Sequence, residues 1–217
     1  MQFLLGLIEQ TPLGDERLSC LLDCAAESFQ HIPEDKKQQF LSAMIPYLIN
    51  ICSTDISVSI KQVVSGPEYQ MTDNGMEYAT IDTKNMGKVQ LSLNTSAIEA
   101  VQNAIRLIHN LLLDGKSLLL PYVEQIYNAV KVHTDFSFNE EVRTLTSRIF
   151  PILFNIMITA VKENAYDINS CIAFYKEAIT TLFQQYDSEE SPVDRCEVAG
   201  AISDFLRVSL FNHSLTH

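Results

Sequence analysis

Apolar residues recur at three- and four-residue spacings through most of this chain. That spacing belongs to amphipathic helices and not to strands. Met1 to Glu9 reads as the end of a helix without its partner. Leu18, Leu21, Leu22, Ala25 and Phe29 share one face of a second helix, from about residue 14 to residue 30. His31-Ile32-Pro33 breaks it. A third helix, 34–52, turns Phe40, Met44, Tyr47, Leu48 and Ile51 inward, with a bend expected at Pro46.

The helical period then stops over residues 53–95. Gly66-Pro67, Asn74-Gly75 and Met86-Gly87 are turn signals. Segments 77–83 and 88–93 alternate and predict a short hairpin, with Val89, Leu91 and Leu93 on one face. The stretch is too short and too polar to hold its own core, so it reads as an insertion between two helices.

Helical spacing resumes at Ser96-Ala97-Ile98-Glu99, a capping box in which the serine caps the first turn and the glutamate reaches back. That helix is expected to end at Asp114-Gly115, and the next to run to His133 with Pro121 in its first turn. Ser137-Phe138-Asn139-Glu140 is a second box and opens a helix to about Glu163, kinked near Pro151. Asp167 caps a helix to Tyr186, and Ser191-Pro192 starts a last one to about Phe211.

These elements group as a partial helix 1–10, helix pairs 14–52, 96–134 and 137–186, and a lone helix 191–211. With the insertion set aside, the pairs restart about every forty residues, the period of HEAT and armadillo arrays. The predicted fold is therefore all-α: one HEAT-repeat α-solenoid, a superhelix of antiparallel helix pairs, over 1–217 with a long inter-helix insertion. The unpaired end helices predict a segment of a longer array. Such arrays offer binding surfaces more often than catalytic pockets.

Composition adds limits. Apolar residues are 47% and charged residues 19% of the chain, enough apolar surface for a sizeable core. The net charge of −12 argues against nucleic acid, whose binding rests on a basic face, and admits basic protein partners. The N-terminus lacks the basic start and long apolar run of a signal peptide. The richest apolar stretch, Ile149 to Val161, is interrupted and falls short of a membrane span. Five scattered cysteines suit a reducing compartment, and the Asn94 and Asn212 sequons read as chance matches.

The chain offers little chemistry. Cys20 and Cys24 lie one helical turn apart, but no second pair completes the four ligands of a zinc site. His109 and His133 fall on different helices with no nucleophile beside either. Adjacent Glu140 and Glu141 cannot face each other as an acid–base pair. Phosphate-binding glycine motifs are absent. No enzyme activity, cofactor or metal is expected.

Three stretches in fixed order carry a resemblance. The first is Val89-Gln90-Leu91-Ser92-Leu93-Asn94-Thr95-Ser96-Ala97-Ile98-Glu99. The second is Pro121-Tyr122-Val123-Glu124-Gln125-Ile126. The third runs from Val142-Arg143 to Pro151-Ile152-Leu153. Together they resemble the importin-β (karyopherin-β) family, and within it the importin-5/importin-β3 branch. The chain departs from that pattern in lacking tryptophan and in having Glu141 where the family has aspartate.

The resemblance implies a nuclear transport receptor, shuttling between cytoplasm and nucleus. Such a receptor binds protein cargo, the Ran GTPase and Phe-Gly nucleoporins through its full length. The Ran-binding repeats of that family lie outside this segment, so no Ran-binding residue is carried over. In such an array the second helix of each pair lines the concave surface. The expected protein contacts are therefore Gln39, Ser42 and Asn50 on the third helix. Glu124, Asn128 and Lys131 follow on the fifth, and Asn169, Lys176, Glu177 and Thr180 on the seventh. The plainer reading of all ten is a solvated helix face. The acidic run Asp187, Glu189, Glu190, Asp194 and Glu197 reads as a solvated loop and a stabilised helix start, or as an attractor of basic cargo. The rival fold reading is a different HEAT scaffold, such as a phosphatase scaffold subunit, which would lack the insertion.

Overall fold

The computed structural model describes residues 2–13, 15–54, 56, 59–63, 65–66, 69–72, 76–83 and 87–213. Three helices come first: α1 (Gln2–Gln10), α2 (Glu16–His31) and α3 (Glu34–Cys52). After a β-insertion follow α4 (Thr95–Gly115), α5 (Val123–Val130), α6 (Glu140–Lys162), α7 (Ile168–Ser188) and α8 (Pro192–His213). Helices α2, α4, α6 and α8 pack in succession as one row. Helices α1, α3 and α5 form a second row behind it, and α7 extends that row through Tyr127 and Phe174, whose rings lie 4.8 Å apart. A single apolar core runs between the rows from Ile8 to Phe205.

Local chemistry explains where the helices start. Asp15 accepts from the backbone N–H of Arg17 and opens α2. Asp167 accepts from Ser170 and opens α7, and the Ser191 hydroxyl accepts from the Asp194 N–H at the head of α8. The two expected serine boxes give way to neighbouring asparagines. Asn94 caps α4 by accepting from Ala97, and Asn139 caps α6 by accepting from Glu141 and Val142. Asparagine caps at least as well as serine, and each sits nearer the true first turn. The two asparagine caps are 45 residues apart, inside the HEAT range of about 40–47.

The helix expected over 116–133 is three pieces. Residues Lys116–Tyr122 and Lys131–His133 form 3-10 turns on either side of α5. Lys116 adopts φ 45° just past Gly115, which breaks the α-helical path. Pro121 has no N–H to give, which removes one of the few α-type bonds so short a segment could form.

The insertion is larger in structure than a hairpin. Strands β1 (Ser59–Gln62), β2 (Tyr69–Met71), β3 (Met76–Thr83) and β4 (Gly87–Asn94) form an antiparallel sheet in the order β1-β4-β3-β2. The β3–β4 register runs from Met76 opposite Asn94 to Thr83 opposite Gly87, and Gly87 takes φ +66° at the close of the turn. The expected Asn74-Gly75 turn lies outside the described residues, as do Pro67 and Met86 of the other two turn signals. Val89, Leu91 and Leu93 share a sheet face with Ile60, Ala79 and Ile81; Val89 is buried, whereas Ile60 and Ile81 are exposed.

Helix α6 is long and apolar enough to cross a membrane. Its apolar residues are instead spent inside the array, where Ile149, Phe150, Leu153 and Met157 are fully or almost fully buried. Phe154 stacks on Phe205 of α8 at 4.8 Å, and Tyr175 of α7 meets the same ring at 5.3 Å.

Candidate protein-interaction surface

Helix α3, the α5 region and α7 place the ten polar residues expected to touch a partner. Gln39, Ser42 and Asn50 are exposed on α3, and the Ser42 hydroxyl donates to the Gln39 carbonyl at 2.9 Å. Asn128 is exposed on α5. Glu124 accepts from the Tyr166 hydroxyl at 2.7 Å; burial and this carboxylate both push the phenol's pKa upward. Lys131, in the 3-10 turn after α5, meets Glu177 of α7 at 2.9 Å and lies 5.2 Å over the Tyr127 ring. Asn169, Lys176 and Thr180 are exposed on α7, with the Thr180 hydroxyl donating to the Lys176 carbonyl at 2.7 Å.

The structure therefore brings Lys131 and Glu177 together. It ties Glu124 to the α6–α7 connection, and leaves the α3 trio on its own helix. The Lys131–Glu177 pair is half-open to water, so its net contribution to stability is small, about 0–1 kcal/mol. Its effect is to fix the spacing between two successive helices of the row.

The acidic run behaves differently from a solvated loop. Glu189 is buried and accepts from Arg143 at 2.9 and 3.0 Å through both carboxylate oxygens. Asp194 is buried as well, 3.8 Å from the same guanidinium. Arg143 also donates to the Phe136 carbonyl at 3.0 Å, and Arg195 Nε donates to the Glu189 carbonyl at 3.1 Å. Glu197 pairs with Arg148 of α6. Asp187 and Glu190 stay exposed. Most of the run is thus consumed in joining α6, α7 and α8, because three arginines lie within reach. Nothing in the local sequence marks the pairs of Arg143 and Arg148 with these acids, which span 46 to 51 residues.

A second feature escapes sequence reasoning. An open groove of about 970 Å³ lies between α4, α6 and α8. It is lined by Leu113, Pro151 and Ile152, by His109 and by the Arg148–Glu197 pair. Gly200 of α8 helps to form it; a methyl group there would meet nothing within 4 Å. A glycine at a helix position with apolar neighbours is the one signal the sequence offered.

Among the described residues, no group of three or more His, Cys, Asp and Glu side chains is placed to hold a metal ion. Burial pushes the Cys52 thiol up to about 12 and the Cys171 thiol up to about 11, so both are unreactive near neutral pH. The Tyr127 phenol is likewise pushed up to about 12, chiefly by burial.

Two rows of helices around one core, restarting at a HEAT period, define an α-solenoid of the HEAT type. No protein-family model matches the sequence, and no curated protein matches it. Solved structures do. The chain is similar to Kap121p, with 96% of this chain superposing on 19% of that one at 16% identity and a TM-score of 0.71. Kap121p bound to RanGTP matches with the same coverage, 14% identity and a TM-score of 0.72. The karyopherin Kap121p bound to the SUMO protease Ulp1p matches 96% of the chain over 18% of its own length, at 15% identity and a TM-score of 0.68. The chain spans about a fifth of the length of the solved structures it matches. The likeness at these identities is one of fold.

Proposed function

We propose that this chain is a segment of a nuclear transport receptor of the importin-β type, in the importin-5/importin-β3 branch. The full-length receptor binds protein cargo for nuclear import, releases it in a Ran-regulated cycle, and shuttles between cytoplasm and nucleus. The observation that carries this reading is the superposition of almost the whole chain on one segment of Kap121p. Kap121p itself has been crystallised with RanGTP, with Nup53p, and with Pho4p, Ste12p and Ulp1p. The partners proposed for the present receptor are of the same three kinds: Ran in its GTP form, Phe-Gly nucleoporins and protein cargo.

Within this segment the contribution is binding by shape and distributed polar contact, with no catalytic step. Gln39, Ser42, Asn50, Glu124, Asn128, Lys131, Asn169, Lys176, Glu177 and Thr180 are the proposed cargo-facing residues. Nine of the ten are exposed and Lys131 is half-exposed, and they fall on α3, the α5 region and α7, which supports this assignment. Many weak polar terms on a row of helices give specificity through complementarity more than through any single strong contact.

The test uses the native protein. An antibody raised to this chain should detect a polypeptide several times heavier than 24.5 kDa in the source cells. That polypeptide, captured on immobilised Ran, should be retained by the GTP form and not by the GDP form. Equal retention by both forms, or by neither, overturns the proposal.

A further inference from the structure

Among the described residues, two that are not glycine have positive φ, Asn164 and Lys116. Asn164 follows α6, where the Ala165 N–H donates to the Ala160 carbonyl at 2.8 Å, a helix end in which asparagine is favoured. Lys116 is different. Its φ of 45° comes with ψ −121°, a combination open to glycine and strained for any residue with a side chain. Gly115 just before it stays helical, at φ −83° and ψ −24°. A Cβ on Gly115 would stand 2.9 Å from the Leu119 side chain and 3.5 Å from the Phe29 ring, so its α-carbon is pressed against the core and the sharp bend falls on Lys116.

The segment that follows is also unusual. Lys116–Tyr122 is a 3-10 run of seven residues, where runs beyond three or four are uncommon. Its burial pattern belongs to another kind of helix. Leu119, Val123, Ile126 and Val130 are all fully buried, and their spacing makes one stripe of an α-helix continuous with α5. Ser117 is exposed just before Leu118, where it would cap such a helix. Lys116, Ser117 and Leu120 also line the groove between α4, α6 and α8.

We propose that residues 116–122 form a two-state corner. In the described structure they are 3-10 and Lys116 is strained. In the second state α5 begins at Leu118 with Ser117 as its cap, and Lys116 relaxes to an ordinary negative φ. Pro121 withholds the first bond of that longer helix, from its own nitrogen to the Ser117 carbonyl, and so keeps the two states close in energy. A rise of about 1.5 Å per residue in place of about 2.0 Å shortens residues 118–122 by about 2.5 Å. That draws the end of α4 toward α5 and moves one wall of the groove, so the groove and the α4–α5 angle change together. The corner belongs to this chain alone and holds whether or not the transport reading does.

Two measurements test it. The first is hydrogen exchange of the full-length protein, read by mass spectrometry on peptides covering residues 116–123. In the parent these amides exchange roughly tenfold faster, or more, than those of the buried α6 stretch 149–157. Lys116→Gly holds φ 45° without strain and slows the segment about tenfold, whereas Lys116→Ala keeps the strain and stays within about twofold of the parent. The α6 stretch remains slow in both variants, which shows that they fold; if it becomes fast in either, the parent rate and the second measurement decide. The second is a crystal structure of Pro121→Ala, whose restored N–H favours the longer helix, so that α5 starts at Leu118. A 3-10 run retained in that variant overturns the two-state corner. So does parent exchange as slow as that of α6, and so do equal rates for Lys116→Gly and Lys116→Ala.

Discussion

Arg143 of α6 and Glu189, the first residue past α7, clasp each other through two hydrogen bonds while the glutamate side chain is almost wholly removed from water. Deleting one partner strands the other charge in a poorly hydrated place. Glu189→Ala should therefore lower unfolding stability by about 3 kcal/mol, the low end for a broken buried pair because Asp194 remains near Arg143. Urea denaturation followed by circular dichroism measures it. A loss below half of that would mean the clasp is solvated in practice.

The same pair sets an acid response. Hydrogen bonds from Arg143 hold the Glu189 carboxyl below the usual range, outweighing the opposite effect of burial. A carboxyl lowered on folding stabilises the protein at pH values above its unfolded pKa of about 4.3. That stability is lost as the pH falls through the lowered folded value. Stability curves of the parent should drop more steeply below about pH 4 than those of Glu189→Gln, which has no proton to gain. Parallel curves would remove Glu189 from the account.

His133 gives a second pH dependence, nearer neutrality. Its Nε2 lies 2.8 Å from the Cys52 carbonyl oxygen and its ring packs edge-on against Phe136. Burial lowers its pKa, partly offset by that hydrogen bond. The neutral ring is the folded form, so its stabilisation is complete above the unfolded value of about 6.5 and is lost as pH falls through the folded value. Thermal melts should show a decline in Tm below about pH 6.5 that His133→Gln removes. Persistence of the decline in the variant would assign it to another group.

Gly200 stands inside α8 with open space where a side chain would project. Gly200→Ala should stabilise the chain by about 0.5–1 kcal/mol, by reducing the freedom of the unfolded backbone. The same methyl enters the groove beside α6, so one substitution separates stability from whatever binds there. Chemical denaturation of the variant reads the first effect; a destabilised variant would show that the groove closes in solution.

Phe205 has no exposed surface and joins α8 to Phe154 of α6 and Tyr175 of α7. Phe205→Ala should cost about 3–5 kcal/mol, by lost burial and an unfilled cavity. If the cost is under about 1 kcal/mol, the aromatic cluster does not close the core at this end.

Much of the helical order was legible because helix starts are local events. Asp167 and Ser191-Pro192 each set a cap within three residues, and a sequence shows that directly. Ser96 and Ser137 misled because an asparagine two residues away in one case, and two residues on in the other, competes for the same N–H groups. Strands β1 and β2 were missed because four residues and three residues carry no period of their own. Their conformation is imposed by pairing with β4 and β3. The acidic run was misread for a related reason: Arg143, which meets both Glu189 and Asp194, is distant in sequence. Of the proposed binding face, exposure was legible from helical spacing, whereas the meeting of Lys131 with Glu177 depended on how two helices stack.

The order of the inserted sheet has a mechanical meaning. Its first and last strands, β1 and β4, are hydrogen-bonded neighbours, with Ser59 opposite Ser92. Tension along the array enters beside Ser59 and leaves beside Asn94, at the same end of an antiparallel pair. Such a load peels the strands apart one bond at a time and does not shear them together. Once the packing of α3 on α4 yields, residues 53–94 can pay out roughly 140 Å of extended chain, at about 3.4 Å per residue. The excursion is then a length of slack folded away between α3 and α4.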